Sequence, residues 1–412
     1  MAHRKAVTKE MARRYARSSK GEKGRILDQL VVLTGWTRRH ARRALALAAN
    51  PPPPAGRPRG RPPIYGPAVV KALTKVWATL DGLSGKRLAP FLPEIVPVME
   101  RFGELELEPE VRAKLLRVSA ATIDRLLAPE RKRLRLKGRQ GTKAGTLLRA
   151  QVPIRTFSDW DDLRPGFFEA DLVAHDGGDS RGVFCQTLTL TDVASGWTEI
   201  RALKNKAQRW VFESLRSLQK ELPIPMLGLD SDNGGEFINL PLVTWCRDQA
   251  ITFTRSRPYR KNDNCFVEQK NGAVVRQALG YLRYDSDREL RALTRLYRHL
   301  RLYVNFFQPQ MRLLEKTREG AKVRRRHDRA QTPCQRLLAS SEVSIEAKEA
   351  LRATYLRLNP VALKREIARI QDLLVKHAKL KETIRRKEVR TSPDHPWRTP
   401  ILRQRAQPSR TS

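Results

Sequence analysis

Leu229-Asp230-Ser231-Asp232-Asn233-Gly234-Gly235-Glu236-Phe237 is the stretch on which the reading of this chain turns. The apolar run from Met226 to Leu229 leads into it and reads as a short buried strand. Asn233, Gly234 and Gly235 then supply a turn in which backbone approaches closely whatever the carboxylate of Asp232 holds. An acidic group at the end of a buried strand is costly unless it reaches solvent or holds a cation. Asp230, two residues earlier, is a competing ligand, but it lacks the Asn-Gly that follows Asp232.

Working outward, two more carboxylates stand in matching contexts. Asp171 lies inside the apolar strand Phe167-Phe168-Glu169-Ala170-Asp171-Leu172-Val173, and alternation puts it on one face with Glu169 and Val173. Glu268 sits in Asn264-Cys265-Phe266-Val267-Glu268-Gln269-Lys270-Asn271, read as the start of a helix, with 35 residues between it and Asp232. Asp263 in the same approach supports the site or caps that helix. Spacing alone decides little, because the chain holds 43 acidic residues in 412. Taken singly, each group has a plainer role: an edge ion pair, a turn, or compensation of a helix dipole.

Around these residues the texture is that of a mixed α/β sheet. Residues 167–174, 183–191 and 197–203 are rich in β-prone side chains, with Gly196 in the turn between the last two. A helix is expected over 207–222, ended by Pro223, then a strand at 226–229, a helix at 240–249 and a strand at 251–255. Strands followed by alternating helices give the mixed sheet.

In order and context, these pieces closely resemble the retroviral-integrase and insertion-sequence transposase superfamily, whose core has a ribonuclease-H-like fold. The residues that carry the resemblance are Asp171, Asp232-Asn233-Gly234 and Glu268, together with Thr191-Asp192, Gly196-Trp197, Arg257-Pro258-Tyr259, Asn262 and Tyr303-Val304-Asn305. It covers roughly residues 160–340. It implies that Asp171, Asp232 and Glu268 are catalytic and hold two Mg²⁺ or Mn²⁺ ions, oxygen ligands suiting such hard cations. The two ions would lie about 3.5–4 Å apart and serve both hydrolysis and strand transfer. The implied activity is that of a DNA transposase that binds element ends and joins them to a target, as a homo-oligomer on DNA. A hydrolytic nuclease of the same fold and a domesticated DNA-binding protein are the alternatives. The paired His and Cys of the integrase zinc-binding domain are absent.

The flanks point to DNA independently. With 81 Lys and Arg against 43 Asp and Glu the net charge is +38, which implies a polyanionic partner. No run of 18 apolar residues or signal-peptide layout directs the chain to a membrane, so a cytoplasmic protein bound to double-stranded DNA is expected. Residues 25–48 read as two helices broken at Thr34-Gly35-Trp36. Ile26, Leu27, Leu30 and Leu33 mark the first, and Ala41, Ala44, Leu45 and Ala48 the second. Arg38, Arg39, Arg42 and Arg43 project from the second as in a helix-turn-helix. Pro51 to Pro63 follows as a stiff linker in which Arg59 and Arg61 flank Gly60 like an AT-hook, a form suited to a narrow minor groove. A second helical pair, marked by Val111, Leu115 and Leu116, a Ser119 cap, and Ile123, Leu126 and Leu127, repeats the pattern. Arg257, Arg260, Lys261 and Lys270 are assigned to DNA phosphate.

The expected architecture is thus multidomain: N-terminal all-α helix-turn-helix units, a central α/β core, and a helical, basic C-terminal region. Its parts are a DNA-binding unit at 1–50, a linker at 51–65, a second helical DNA-binding unit at 66–140, the catalytic core at 160–340, a helical region at 341–380 and a disordered basic tail at 381–412. The charge-dense run 312–329 is expected to be extended or loop-like. Cys185, Cys246, Cys265 and Cys334 show no paired spacing and read as buried or half-buried thiols in a reducing compartment rather than zinc ligands or disulfides.

Overall fold

Gly35 ends the second of three N-terminal helices in a left-handed conformation, φ 71°, which a side chain would resist. Helix α1 (Ala2–Arg17) precedes α2 (Lys20–Thr34), which opens on a capping box between Ser19 and Glu22. Helix α3 (Arg38–Ala49) is capped by Thr37, whose hydroxyl accepts from the His40 N–H at 3.3 Å. Met11, Ala12, Ile26, Leu27, Leu30, Ala41 and Leu45 form a small core of their own. Leu33, expected in that core, is 67% exposed. The apolar stripe of α2 runs through Ile26, Leu27, Leu30 and Thr34 instead.

The computed structural model describes residues 2–50, 64–134, 164–232, 234–255 and 265–391. Contacts divide the chain into two units, Met1–Ile64 and Tyr65–Ser412. The AT-hook-like linker with Arg59 and Arg61, and the segment with Arg257, Arg260, Lys261 and Asp263, lie outside the described residues.

The second unit begins with α4 (Pro67–Thr79), α5 (Gly85–Leu88), α6 (Leu92–Arg101), α7 (Pro109–Leu116), α8 (Ala120–Leu126) and α9 (Ala128–Leu134). Ser119 caps α8 as its position suggests, accepting from the Thr122 N–H at 3.3 Å. These helices do not stand apart from the sheet domain, as a separate unit at 66–140 would. Leu73, Phe91 and Ile95 belong to the same buried cluster as the sheet, and Tyr303 donates its hydroxyl to the Thr79 carbonyl at 2.7 Å. Apolar periodicity marks a face to be covered without saying what covers it.

The sheet has five strands: β1 (Phe167–Ala174), β2 (Gln186–Asp192), β3 (Thr198–Leu203), β4 (Gly228–Ser231) and β5 (Thr252–Arg255), in the order β3-β2-β1-β4-β5. The first three form an antiparallel meander, and β4 and β5 add in parallel. Helices α10 (Gln208–Glu221) and α11 (Leu240–Asp248) make the crossovers. A helical run follows: α12 (Cys265–Lys270), a π-helical turn at Asn271–Arg276 and α13 (Gln277–Leu279). The long α14 (Asp287–Phe307) comes next.

Two sequence motifs are explained by this framework. Asp192 closes the β2–β3 turn, its carboxylate accepting from the Gly166, Ser195 and Ser195 hydroxyl donors at 2.8, 2.7 and 2.5 Å. Asn305 on α14 bonds both the N–H and the carbonyl of Thr198 at 2.8 Å, satisfying the free edge of β3 with one side-chain amide.

The charge-dense segment expected to be extended or loop-like is extended, as an antiparallel hairpin of β6 (Leu313–Glu319) and β7 (Lys322–His327) turning at Gly320 with φ 59°. Helices α15 (Pro333–Ala339), α16 (Ile345–Arg357) and α17 (Pro360–Thr391) close the fold. Apolar spacing in the sequence offers Ile367, Ile370, Leu373 and Leu374 as a seam on α17; Ile367, Ile370 and Leu374 are buried and Leu373 is half-buried. The tail expected to be disordered from 381 continues instead as α17 to Thr391, and Lys381 is held by Glu289 at 2.6 Å. Residues 392–412 lie outside the described residues.

Candidate active site

The parallel register of β1 and β4 pairs Glu169 with Asp230 and Ala170 with Ser231. Carried one residue further, it sets Asp171 beside Asp232 where β4 ends, at about one inter-strand spacing of 4.8 Å. Alternation then puts Glu169, Asp171, Asp230 and Asp232 on a common face. Asp232 turns back on its own loop, accepting from the Gly234 N–H at 3.0 Å. Asp230 is 1% exposed and its carboxylate accepts from the Thr254 hydroxyl of β5 at 2.6 Å.

Helix α12 is tied across that face at two points. The Val267 N–H, one of the donors a helix start leaves without an intrahelical partner, donates to the buried carboxylate of Glu169 at 2.9 Å. Four residues on, the Asn271 side-chain amide donates to Asp171 at 2.6 Å. Positions 267 and 271 therefore face β1. Glu268, next to the first tie, is exposed and bears electrostatically on Asp171. The π-helical turn beginning at Asn271 re-registers the helix immediately after Glu268, an irregularity often met at functional sites.

The electrostatics couple the three carboxylates. Burial, the largest cause, raises Asp171 to about 7, and the negative charges of Asp232 and Glu268 add to it. The Leu172 N–H, at 2.7 Å, and the Asn271 amide act in the opposite sense. Three carboxylates that repel one another are relieved by a cation, and an all-oxygen donor set fits a hard divalent one. Among the described residues, no three His, Cys, Asp or Glu side chains are already gathered tightly enough to hold a metal. The arrangement is Asp171 on β1, Asp232 one residue past the end of β4, and Glu268 on a tethered helix.

Other expected residues are placed differently. Arg39, Arg42 and Arg43 are exposed on α3, as is Arg38, which pairs with Asp28. Lys270, assigned to DNA phosphate from the sequence, is 5% exposed and donates to Gln310 at 2.6 Å. Its place two residues after Glu268 turns it off the triad face and into the protein. Burial first, then the charges of Arg87 and Arg336, lower it to about 7. Cys265 is exposed, whereas Cys185, Cys246 and Cys334 are buried. Glu169 and Asn271 carry no motif and were not singled out; the one available signal is that Glu169 shares the face of Asp171.

The fold and the paired strand-end carboxylates define a class, and residues 164–261 match the family model described as the integrase core domain. The chain belongs to a family of proteins that carry an integrase core domain. Within it, the chain is 45% identical over 329 residues to the uncharacterized protein y4rM of Sinorhizobium fredii, a match covering 79% of this chain and 93% of that protein. Among solved structures, it is similar to the HTLV-2 integrase catalytic core domain in complex with magnesium, at 15% identity and a TM-score of 0.28. That overlap covers 36% of this chain and 93% of the viral one. A simian T-cell lymphotropic virus intasome chain is 18% identical at a TM-score of 0.28; 36% of this chain matches about half of it, 51%. Among the described residues no helix is long and apolar enough to cross a membrane.

Proposed function

We propose that the protein is a DNA transposase that cleaves DNA strands at element ends and transfers them to a target by phosphodiester transesterification. The observation that carries this reading is an integrase core over residues 164–261 in which the charges of Asp232 and Glu268 bear on the buried carboxyl of Asp171. Asp171, Asp232 and Glu268 would hold divalent metal, Mg²⁺ or Mn²⁺, in two ions. When bound, the metal supplies Lewis-acid stabilisation of the phosphoryl charge and activation of the attacking hydroxyl. Asp171 and Asp232 are the rigid ligands, fixed by the β1–β4 register, and Glu268 is the adjustable one. Glu169 holds the start of α12 against β1, and Asn271 fixes the rotamer of Asp171.

Double-stranded DNA is the substrate this charge favours. We assign end recognition to the helix pair at 1–50 through Arg38, Arg39, Arg42 and Arg43, with Arg59 and Arg61 of the linker in a minor groove. Arg257, Arg260 and Lys261 lie in the segment leading to Glu268 and are assigned to phosphate near the reacting strand; Lys270 is not. The protein acts in this reading as an oligomer on two DNA ends. The test is incubation of the purified chain with labelled duplexes bearing the element's terminal sequence, with Mg²⁺, with Mn²⁺ and with EDTA. End cleavage and covalent joining to a second duplex are expected only with metal. Cleavage without joining would make it a nuclease of the same fold, and binding without either would make it a DNA-binding protein.

A further inference from the structure

Behind α12, on the side away from the triad, lies a cavity of about 480 Å³ bounded by the α4–α5 loop, the π-helical turn, α14 and α17. Two of its lining cations have no carboxylate to answer them among the described residues. Lys270 is 5% exposed, and its ammonium donates to the neutral Gln310 amide at 2.6 Å. Arg87 is half-buried, and its Nε donates to the Pro309 carbonyl at 2.7 Å. The charges felt by Lys270 are those of Arg87 and Arg336, both of its own sign. Arg336 is itself matched by Asp328 at 2.7 Å. A third lining cation, Lys364, is paired with Asp81, the one acidic residue of the lining.

Burying two basic side chains with only neutral partners is unfavourable, and a bound anion offsets that cost. Glutamines 269, 277 and 371 add neutral hydrogen-bonding groups to the same wall, and the volume falls within the range of about 300–1,000 Å³ usual for small-ligand sites. We infer that this cavity binds a phosphate group on Lys270 and Arg87, as part of a phosphorylated ligand of roughly nucleotide size. The inference goes beyond the catalytic reading and does not depend on it. The phosphate has two sources, a free phosphorylated molecule or the backbone of bound DNA, and the chemistry of the site is the same for both.

The experiment follows thermal unfolding of the full chain in metal-free buffer as sodium phosphate replaces sodium chloride at constant ionic strength, for wild type, Lys270→Met and Arg87→Gln. Wild type should show a saturable rise of a few degrees specific to phosphate. Lys270→Met should lose the phosphate-specific increment. Arg87→Gln should lose most of that increment, and it keeps the test open if Lys270→Met does not fold. Both variants keeping the wild-type increment, or wild type showing none beyond chloride, would overturn the inference. A short duplex that abolishes the phosphate increment in wild type identifies the source as DNA backbone; an undiminished increment identifies a free ligand.

Discussion

Asp230 and Asp232 are separated by one residue, and their surroundings assign them different work. Asp230 is sealed between strands with the Thr254 hydroxyl on its carboxylate, whereas Asp232 emerges past the end of β4 beside Asp171. Asp232→Asn should therefore abolish strand cleavage while preserving DNA binding, because one ligand charge is lost at constant shape. A loss of about 4 kcal/mol of charge stabilisation is roughly a thousandfold in rate. Asp230→Asn should stay within about tenfold of wild type and cost on the order of 1 kcal/mol of stability. Cleavage rates and urea midpoints of the two variants decide it, and the reverse pattern would move the ligand to Asp230. A second consequence concerns Asp171, whose folded pKa of about 7 lies above its ordinary 3.8. Between those values the folded state holds a proton that the unfolded state has released, so metal-free stability falls as pH rises through that window, by at most about 1.4 kcal/mol per unit. Asp171→Asn should remove this component: relative to wild type in EDTA, the variant should gain stability between pH 5 and pH 8. An unchanged difference across that range would mean that Asp171 is not protonated in the metal-free fold. The elements that carry the proposed triad were legible in the sequence because each member sits in a local pattern: a strand, a strand-turn and a helix start. Lys270 was misread because a basic residue near an active site looks the same whether it faces DNA or the core.

Among the elements, the strands and helices of the core stand near where alternation and apolar spacing put them, since each buries one face against its neighbours. What joins them was not legible. The Glu169 carboxylate reaches the Val267 N–H across 98 positions of chain, and a π-helical turn has no compositional signature. The tie makes a prediction about positioning. Glu169→Ala should leave the sheet and its far-UV circular dichroism intact yet shift the metal concentration needed for half-maximal cleavage upward by about 10–100-fold, as loss of support behind a ligand does. Glu169→Gln, which still offers an acceptor to Val267, should recover much of that shift. A Glu169→Ala variant with wild-type metal dependence would show that α12 is placed without it. The β6–β7 hairpin went unread for a different reason. Leu313, Leu314 and Val323 are all exposed, so its apolar side chains mark no inward face with a period of two.

Over the whole molecule, the charge of +38 was the plainest signal and underlies the proposed partner class, while the division into units was the least accessible one. The linker at 51–65 and the repeated helix-pair pattern on either side of it suggested two helical DNA-binding units, at 1–50 and 66–140. Only packing shows that helices from Pro67 onward share a core with the sheet, and that α17 continues to Thr391. Basic side chains that neutralise phosphates release counterions, each contact adding about 0.9 to the slope of log affinity against log salt. Replacing Arg324, Arg325 and Arg326 of the exposed hairpin with Ala should lower that slope by up to about 2.7 and leave the preference for end over random duplex unchanged. Truncation after Thr391 should act in the same sense, and it spares the Lys381–Glu289 pair that a cut at 376 would destroy. A binding series across salt with both duplexes reads this out; loss of end preference at constant slope would make these segments readers of sequence.

The central claim is that Asp171, Asp232 and Glu268 act as one metal-binding unit in strand transfer. It is tested most directly by joining of a labelled element end to a second duplex, measured for wild type and for Asp171→Asn, Asp232→Asn and Glu268→Gln at equal DNA occupancy in Mg²⁺. The account predicts metal-dependent joining by wild type and none above background by any of the three. Joining by wild type in EDTA, or joining near the wild-type rate by any one variant in Mg²⁺, would contradict it.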